Sequence, residues 1–186
     1  PDAIYLAFLG LVVFWAYSFT PLRLNYRGGG ELCETLGVGV VLPVTGHYIA
    51  AGVLPLANGY LFLPITFYAL IGALASGLKH EPADRENGKR TACVLFGAAR
   101  VRKFIWVAQM AARVWFGTFF LVGEYGHSAL VLGALAPSAP MFITRRFDAD
   151  ADFRNASALS RYKQSLVQAS YLTSLALLLD FAFSNA

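Results

Sequence analysis

The stretch KHEPADRENGKRT, Lys79 to Thr91, crowds Glu81, Asp84 and Glu86 together with Lys79, Arg85, Lys89, Arg90 and His80. Carboxylates hold a divalent cation through hard oxygen ligands, and Lys and Arg meet phosphate oxygens directly. The mixture therefore suits a phosphorylated ligand accompanied by its metal. His80 and Asp84 stand four residues apart, a spacing that puts both on one side of a helix. Read for composition alone, the same cluster is a solvated connection whose acids balance some of its bases. Order, spacing and surroundings decide between the two.

The surroundings are apolar. Of the 186 residues, 57% are hydrophobic and only 14% charged, against about 25% charged in ordinary soluble domains. A bilayer crossing needs roughly 20 predominantly apolar residues. Six runs approach that length: Ala3 to Phe19, Thr35 to Ala57, Tyr60 to Leu78, Phe104 to Val122, Ser128 to Ile143 and Leu166 to Phe183. Almost none alternates with a polar face, as a soluble amphipathic helix would. The expected fold class is all-α, a polytopic transmembrane helix bundle of about six helices, with residues 1–186 forming a single transmembrane domain.

Charge placement is an independent test, because cytoplasmic connections close to membrane spans are enriched in Lys and Arg. Every basic residue except Arg113 falls in the connections after the first, third and fifth runs. The connections Leu54 to Asn58 and Gly123 to His127 contain none. Six crossings then put the basic loops on the cytoplasmic side of a bacterial-type inner membrane and both termini on the other side. Topology accounts for the net charge of +4, and no nucleic-acid partner is required.

Local signals refine this outline. Pro21 ends the first helix, and Gly28, Gly29 and Gly30 make a turn before the next. Gly37, Gly39, Pro43 and Gly46 mark the second run as kinked or closely packed against a neighbour. A short surface helix is expected from about Ala156. Arg113, in the middle of the fourth run, is an intramembrane charge, either a ligand group or a structural hydrogen-bond anchor. Asp148, Asp150 and Asp152 alternate with Ala but lack the Gly and terminal Glu of a calcium loop, so they read as a solvated acidic segment. Cys33 and Cys93 suggest neither a disulfide framework nor a metal site.

The run DRENGKRTACVLFG resembles the second signature of the UbiA superfamily of intramembrane aromatic prenyltransferases, DxxxDxxxGKRTxxxxxG, through Asp84, Gly88, Lys89, Arg90, Thr91 and Gly97. The segment YSFTPLRLNYRGGGELCETLGVGVVLPVTGHYIAAG is similar to a second family segment through Tyr17, Pro21, Arg23, Tyr26, Arg27, Gly28, Gly30 and Glu31. It is most like the 1,4-dihydroxy-2-naphthoate prenyltransferases of menaquinone synthesis. Two motifs in the family's order are more specific than either alone.

The resemblance implies a helical bundle around a central cavity, in which two acidic motifs bind Mg2+ and the diphosphate of an isoprenoid donor. An aromatic acceptor then attacks the allylic carbocation. Carried over by motif, Tyr17, Arg23, Lys89 and Arg90 are the diphosphate-binding residues, and Asp84 is a metal ligand with Glu81 beside it. His80 stands where the family has its first aspartate of this motif. The six runs correspond to the family's last six helices, and nothing here matches the first acidic motif, NDxxDxxxD. That motif is expected on residues before Pro1 or on another polypeptide. The expected function is transfer of an isoprenyl group from its diphosphate to an aromatic quinone precursor, by a chain incomplete or degenerate as it stands. The alternative is a non-catalytic subunit of a larger membrane complex that binds lipid, quinone or pigment alongside other membrane subunits. Membrane lipids are partners in either case.

Overall fold

The computed structural model describes residues 2–57, 59–123 and 156–184. Among them all regular structure is helical, with no strand. The chain divides into two compact units, Pro1–Ile105 and Trp106–Ala186. The expected fifth run, His127 and the acidic FDADADF segment lie outside the described residues.

In the first unit, α1 (Asp2–Ser18) buries only Leu6. Ile4, Tyr5, Phe8, Leu11 and Phe14 are all more than half exposed. A helix apolar all round with its side chains uncovered is stable where the surroundings are hydrocarbon. It ends before Pro21, whose ring cannot continue a helix. The short α2 (Leu24–Arg27) follows. Gly28 and Gly29, at φ 97° and 102°, make the turn into α3 in a region open to glycine without steric cost.

The helix that begins with α3 (Gly30–Leu36) passes through a π-helical turn, Gly37–Val41, and continues as α4 (Leu42–Ala51). In the wider turn the Leu42 N–H reaches back to the Gly37 carbonyl. Pro43 has no N–H to offer the Gly39 carbonyl four residues back. The Thr66 hydroxyl of α5 donates to that carbonyl instead, at 2.7 Å. Of the kink or close packing expected in the second run, the close packing is present: a Cβ on Gly39, in the π-helical turn, would stand 2.7 Å from the Thr66 Cα. Gly52, at φ 72°, stops the helix at Ala51, short of the expected Ala57.

After a 3-10 turn, Gly59–Phe62, the long α5 (Leu63–Glu86) carries both the core of this unit and its polar end. Tyr68, Ile71, Ala73, Leu74, Ala75 and Leu78 are buried. The helix runs on through Pro82. Gly88, at φ 68°, turns the chain back so that the Lys89 N–H donates to the Asp84 carbonyl at 2.8 Å. A short α6 (Ala92–Phe96) and Gly97 lead into α7 (Ala98–Leu121).

The unit boundary falls within α7. Along that helix Val101, Ile105, Ala108, Ala112 and Phe116 are buried, at the spacing of one helical face. Trp106, Val107 and Val114 are exposed. In the second unit α8 (Ala156–Ser184) buries Leu159, Tyr162, Leu166, Ala169 and Thr173 at the same spacing. The surface helix expected from Ala156 and the sixth apolar run are one helix.

By length and composition two helices suffice to cross a membrane, Gly30–Ala51 and Ala98–Leu121, and α1 is a shorter apolar helix. The third expected run is the 3-10 turn together with the first two thirds of α5.

Candidate functional site

The polar end of α5 closes one side of a cavity of about 130 Å³. Ala73, Ser76, Gly77, His80 and Asp84 line it from α5, one helical face as their spacing requires. Opposite lie Tyr17 at the end of α1, Asn25 of α2, and Gly30, Glu31 and Glu34 at the start of α3. Lys89 and Thr91, from the loop before α6, complete the lining. The GKRT loop and the YRGGGE turn are thus brought to one place.

Backbone contacts hold them there. The Arg90 N–H donates to the Tyr26 carbonyl at 2.9 Å. The Ala92 N–H donates to Glu31 Oε1 at 2.6 Å. Gly77 lies across from the same carboxylate, where a Cβ would stand 3.6 Å from Glu31 Oε1.

An ion pair lies inside the cavity, alongside the Glu31 and Glu34 carboxylates. Asp84, nearly buried, is 3.2 Å from Lys89 Nζ. That ammonium also lies 5.4 Å from the centre of the Tyr26 ring, and the Arg23 guanidinium stacks on the same ring at 3.9 Å. Such cation–ring contacts hold a positive group without neutralising it. Arg23 adopts φ 42°, left-handed backbone that a side chain of its bulk rarely takes. The Asn25 Oδ1 and Thr91 Oγ1 atoms are buried without a hydrogen-bond partner among the described residues. Both residues line the cavity, so an occupant can complete bonds that the protein leaves unmade.

The cavity is not purely polar in its surroundings. A second, apolar groove of about 210 Å³ runs beside it between α1 and α3, along Gly10, Val13, Phe14, Gly37 and Val38. Tyr17 and Glu34 line both spaces.

Of the sequence-predicted residues, Tyr17, His80, Asp84 and Lys89 meet at the cavity. Arg23 stands behind it on the Tyr26 ring. Glu81 turns from the cavity to Arg85, which binds its Oε1 through Nε at 2.8 Å and Nη2 at 2.6 Å. Arg90 lines a third, apolar space of about 370 Å³. Arg113 belongs to α7 in the second unit. Asn25 and Glu34 line the cavity without having been predicted as site residues. Glu34 was legible from its three-residue spacing to Glu31, which shares its helix face, whereas Asn25 sits in a four-residue helix with no motif of its own.

Among the described residues no group of three or more His, Cys, Asp and Glu side chains is placed to hold a metal ion. The Glu81 carboxylate is taken by Arg85, one Glu31 oxygen by the Ala92 N–H and Asp84 by Lys89. These residues alone do not make a magnesium site. Nearby, burial pushes the Cys93 thiol up to about 11, with Glu81, Glu31 and Asp84 adding to the rise and Arg85 opposing it.

Neither a curated protein nor a solved structure matches the chain significantly. The profile of the UbiA prenyltransferase family matches residues 1–176. That match takes in the cavity, the groove beside it and both motifs, and the chain belongs to the UbiA prenyltransferase family of membrane-embedded proteins.

Proposed function

We propose that the chain binds an isoprenyl diphosphate, with its head in the polar cavity and its hydrocarbon chain in the apolar groove between α1 and α3. The observation that carries this reading is the common wall of Tyr17 and Glu34. A polar chamber and an apolar one that share a wall suit a ligand with one charged and one greasy end. Family membership implies that substrate class together with an aromatic acceptor. We assign the acceptor to the dihydroxynaphthoate type on the likeness of the Tyr17–Glu31 segment to that subgroup.

In this reading Lys89 meets the diphosphate, and the Thr91 hydroxyl donates to it. The Asn25 amide turns to present its N–H groups, since oxygen and nitrogen of an amide exchange by a flip. As the bond between the allylic carbon and the diphosphate breaks, negative charge grows on the departing oxygens. A fixed cation aimed at that charge lowers the barrier. Val13 and Phe14 keep water from the carbon that becomes positive. Family members generally use Mg2+ through their aspartate motifs; Asp84 would be this cavity's ligand to such an ion, with the remaining ligands supplied from elsewhere, and the ion would further neutralise the leaving group.

The test is equilibrium binding of farnesyl diphosphate and farnesol to the purified full chain in detergent. The diphosphate binds and the alcohol does not, Lys89→Ala removes the difference, and Arg85→Ala leaves it in place. Equal affinity for the two compounds would overturn the reading.

His80 favours a second reading, because a neutral imidazole is a poor ligand for magnesium and it stands on the cavity wall where the motif has an aspartate. On that basis the chain is a UbiA-like subunit that retains a donor-shaped cavity without catalysis. Product formation from farnesyl diphosphate and 1,4-dihydroxy-2-naphthoate in the presence of Mg2+ excludes it. Donor binding without turnover supports it.

A further inference from the structure

We infer that the apolar groove at Arg90 is a binding site for an anionic phospholipid, separate from the cavity that faces Lys89. The groove encloses about 370 Å³, within the range of roughly 300–1,000 Å³ typical of small-molecule sites. Leu70 and Leu74 of α5 form its floor, and Leu32, Leu95, Phe96 and Phe104 its sides. Phe96 and Phe104 meet edge to face at 6.2 Å. These four side residues remain well exposed, Leu32 by 63%, so the groove is an uncovered apolar surface and not a closed core.

Its charge selects the occupant. Two ionisable residues line it, Glu31 and Arg90. The Glu31 carboxylate is engaged by the Ala92 N–H. Arg90 is exposed and has no ion-pair partner among the described residues. Arg100, also exposed and unpaired among them, precedes Phe104 by four residues on α7 and so shares its helix face. The uncommitted charge at the rim is therefore positive. A purely apolar occupant leaves both guanidiniums unmet, and a free phosphate leaves the apolar walls bare. A phosphate ester carrying an acyl chain meets both, and the anionic lipids of the bilayer supply it. A zwitterionic headgroup brings its own cation to the same rim and gains less.

The experiment is native mass spectrometry of the full chain, delipidated in detergent, titrated with dioleoyl phosphatidylglycerol and dioleoyl phosphatidylcholine. The glycerol lipid is retained more tightly than the choline lipid. Arg90→Gln weakens it about five-fold, as loss of one interfacial cation predicts. Arg90→Lys restores most of that loss, and adding Arg100→Gln deepens it. Leu70→Trp, which fills the floor, weakens both lipids, with circular dichroism checking that helix content is unchanged. Equal retention of the two lipids overturns the inference, as does wild-type retention of phosphatidylglycerol by the double variant. Competition by soluble glycerol phosphate, without an acyl chain, also overturns it. So does a dimer that excludes lipid, because a second copy then covers the groove. If Arg90→Gln loosens farnesyl diphosphate and spares phosphatidylglycerol, Arg90 serves the donor and the lipid assignment is wrong.

Discussion

Glu31 and Ala92 are separated by 61 residues and joined by one short hydrogen bond, the Ala92 N–H donating to Glu31 Oε1 at 2.6 Å. Ala92 opens α6, and Thr91, the residue in the capping position, makes no side-chain cap bond. A first-turn N–H of a helix needs an acceptor from elsewhere. The carboxylate of α3 is that acceptor, and it fixes the GKRT loop against the YRGGGE turn. Glu31→Ala should cost about 1.5–3 kcal/mol, the usual worth of a hydrogen bond to a charged group. Glu31→Gln, which keeps an acceptor oxygen, should cost about half as much. Thermal unfolding in detergent measures both, and equal losses would show that the bond is not what Glu31 contributes.

Gly39 makes a test by sign. In an open helix interior, Gly→Ala is favourable by roughly 0.5–1 kcal/mol. At Gly39 the added Cβ would lie 2.7 Å from the Thr66 Cα, a backbone atom that cannot swing aside. Gly39→Ala should therefore destabilise by about 1–3 kcal/mol. Gly46→Ala, which meets nothing within 4 Å, should stabilise slightly. The melting temperatures of the two variants should move in opposite directions.

Asp84 and Lys89 depend on each other unequally. Asp84 retains 9% side-chain exposure and Lys89 33%. Removing the ammonium strands a nearly buried carboxylate, at a cost that partial exposure of the pair reduces to about 1–2 kcal/mol. Lys89→Ala should thus be more destabilising than the Asp84→Asn, Lys89→Ala double variant. A double-mutant cycle that finds no coupling would contradict the pairing.

Cys93 should be a slow thiol. Burial pushes the folded Cys93 thiol from the ordinary 9.0 up to about 11, so little thiolate exists at neutral pH. Iodoacetamide should label it far more slowly in the folded chain than in the unfolded one. Because the folded state holds this proton more tightly, the stabilisation is complete below the unfolded value of 9.0 and is lost as pH rises to about 11. Within that window the folding equilibrium should fall about tenfold per pH unit from this group. Cys93→Ser should flatten that part of the pH profile.

Local signals were the ones that could be read in advance. Pro21 and the glycines at 28–30 announced where helices stop and turn, and the four-residue step from His80 to Asp84 announced a common face. GKRT announced the loop that brings Lys89 to Asp84. Contacts across long separations left no such trace. Whereas the pairing of Glu81 with Arg85 was legible from their four-residue spacing on one helix, nothing in the order of residues says that Glu31 accepts from Ala92 or that Arg90 turns to an apolar groove. Those outcomes depend on how α3, α5 and α6 meet. The π-helical turn was legible only as a cluster of glycines near a proline, because the pattern that marks a kink also marks close packing.

That turn also sets how the chain tolerates insertion and deletion. An α-helix advances about 100° per residue, and a π-helical turn takes in one residue without advancing the helix by the usual step. Removing one residue between Gly37 and Val41 would therefore restore an ordinary helix with α3 and α4 near their present phase. Such a deletion closes the opening in the hydrogen-bond ladder where the Gly39 carbonyl accepts from Thr66. A deletion elsewhere in the same helix would instead rotate all that follows by about 100°, so a one-residue gap in alignments of this segment should fall within Gly37–Val41.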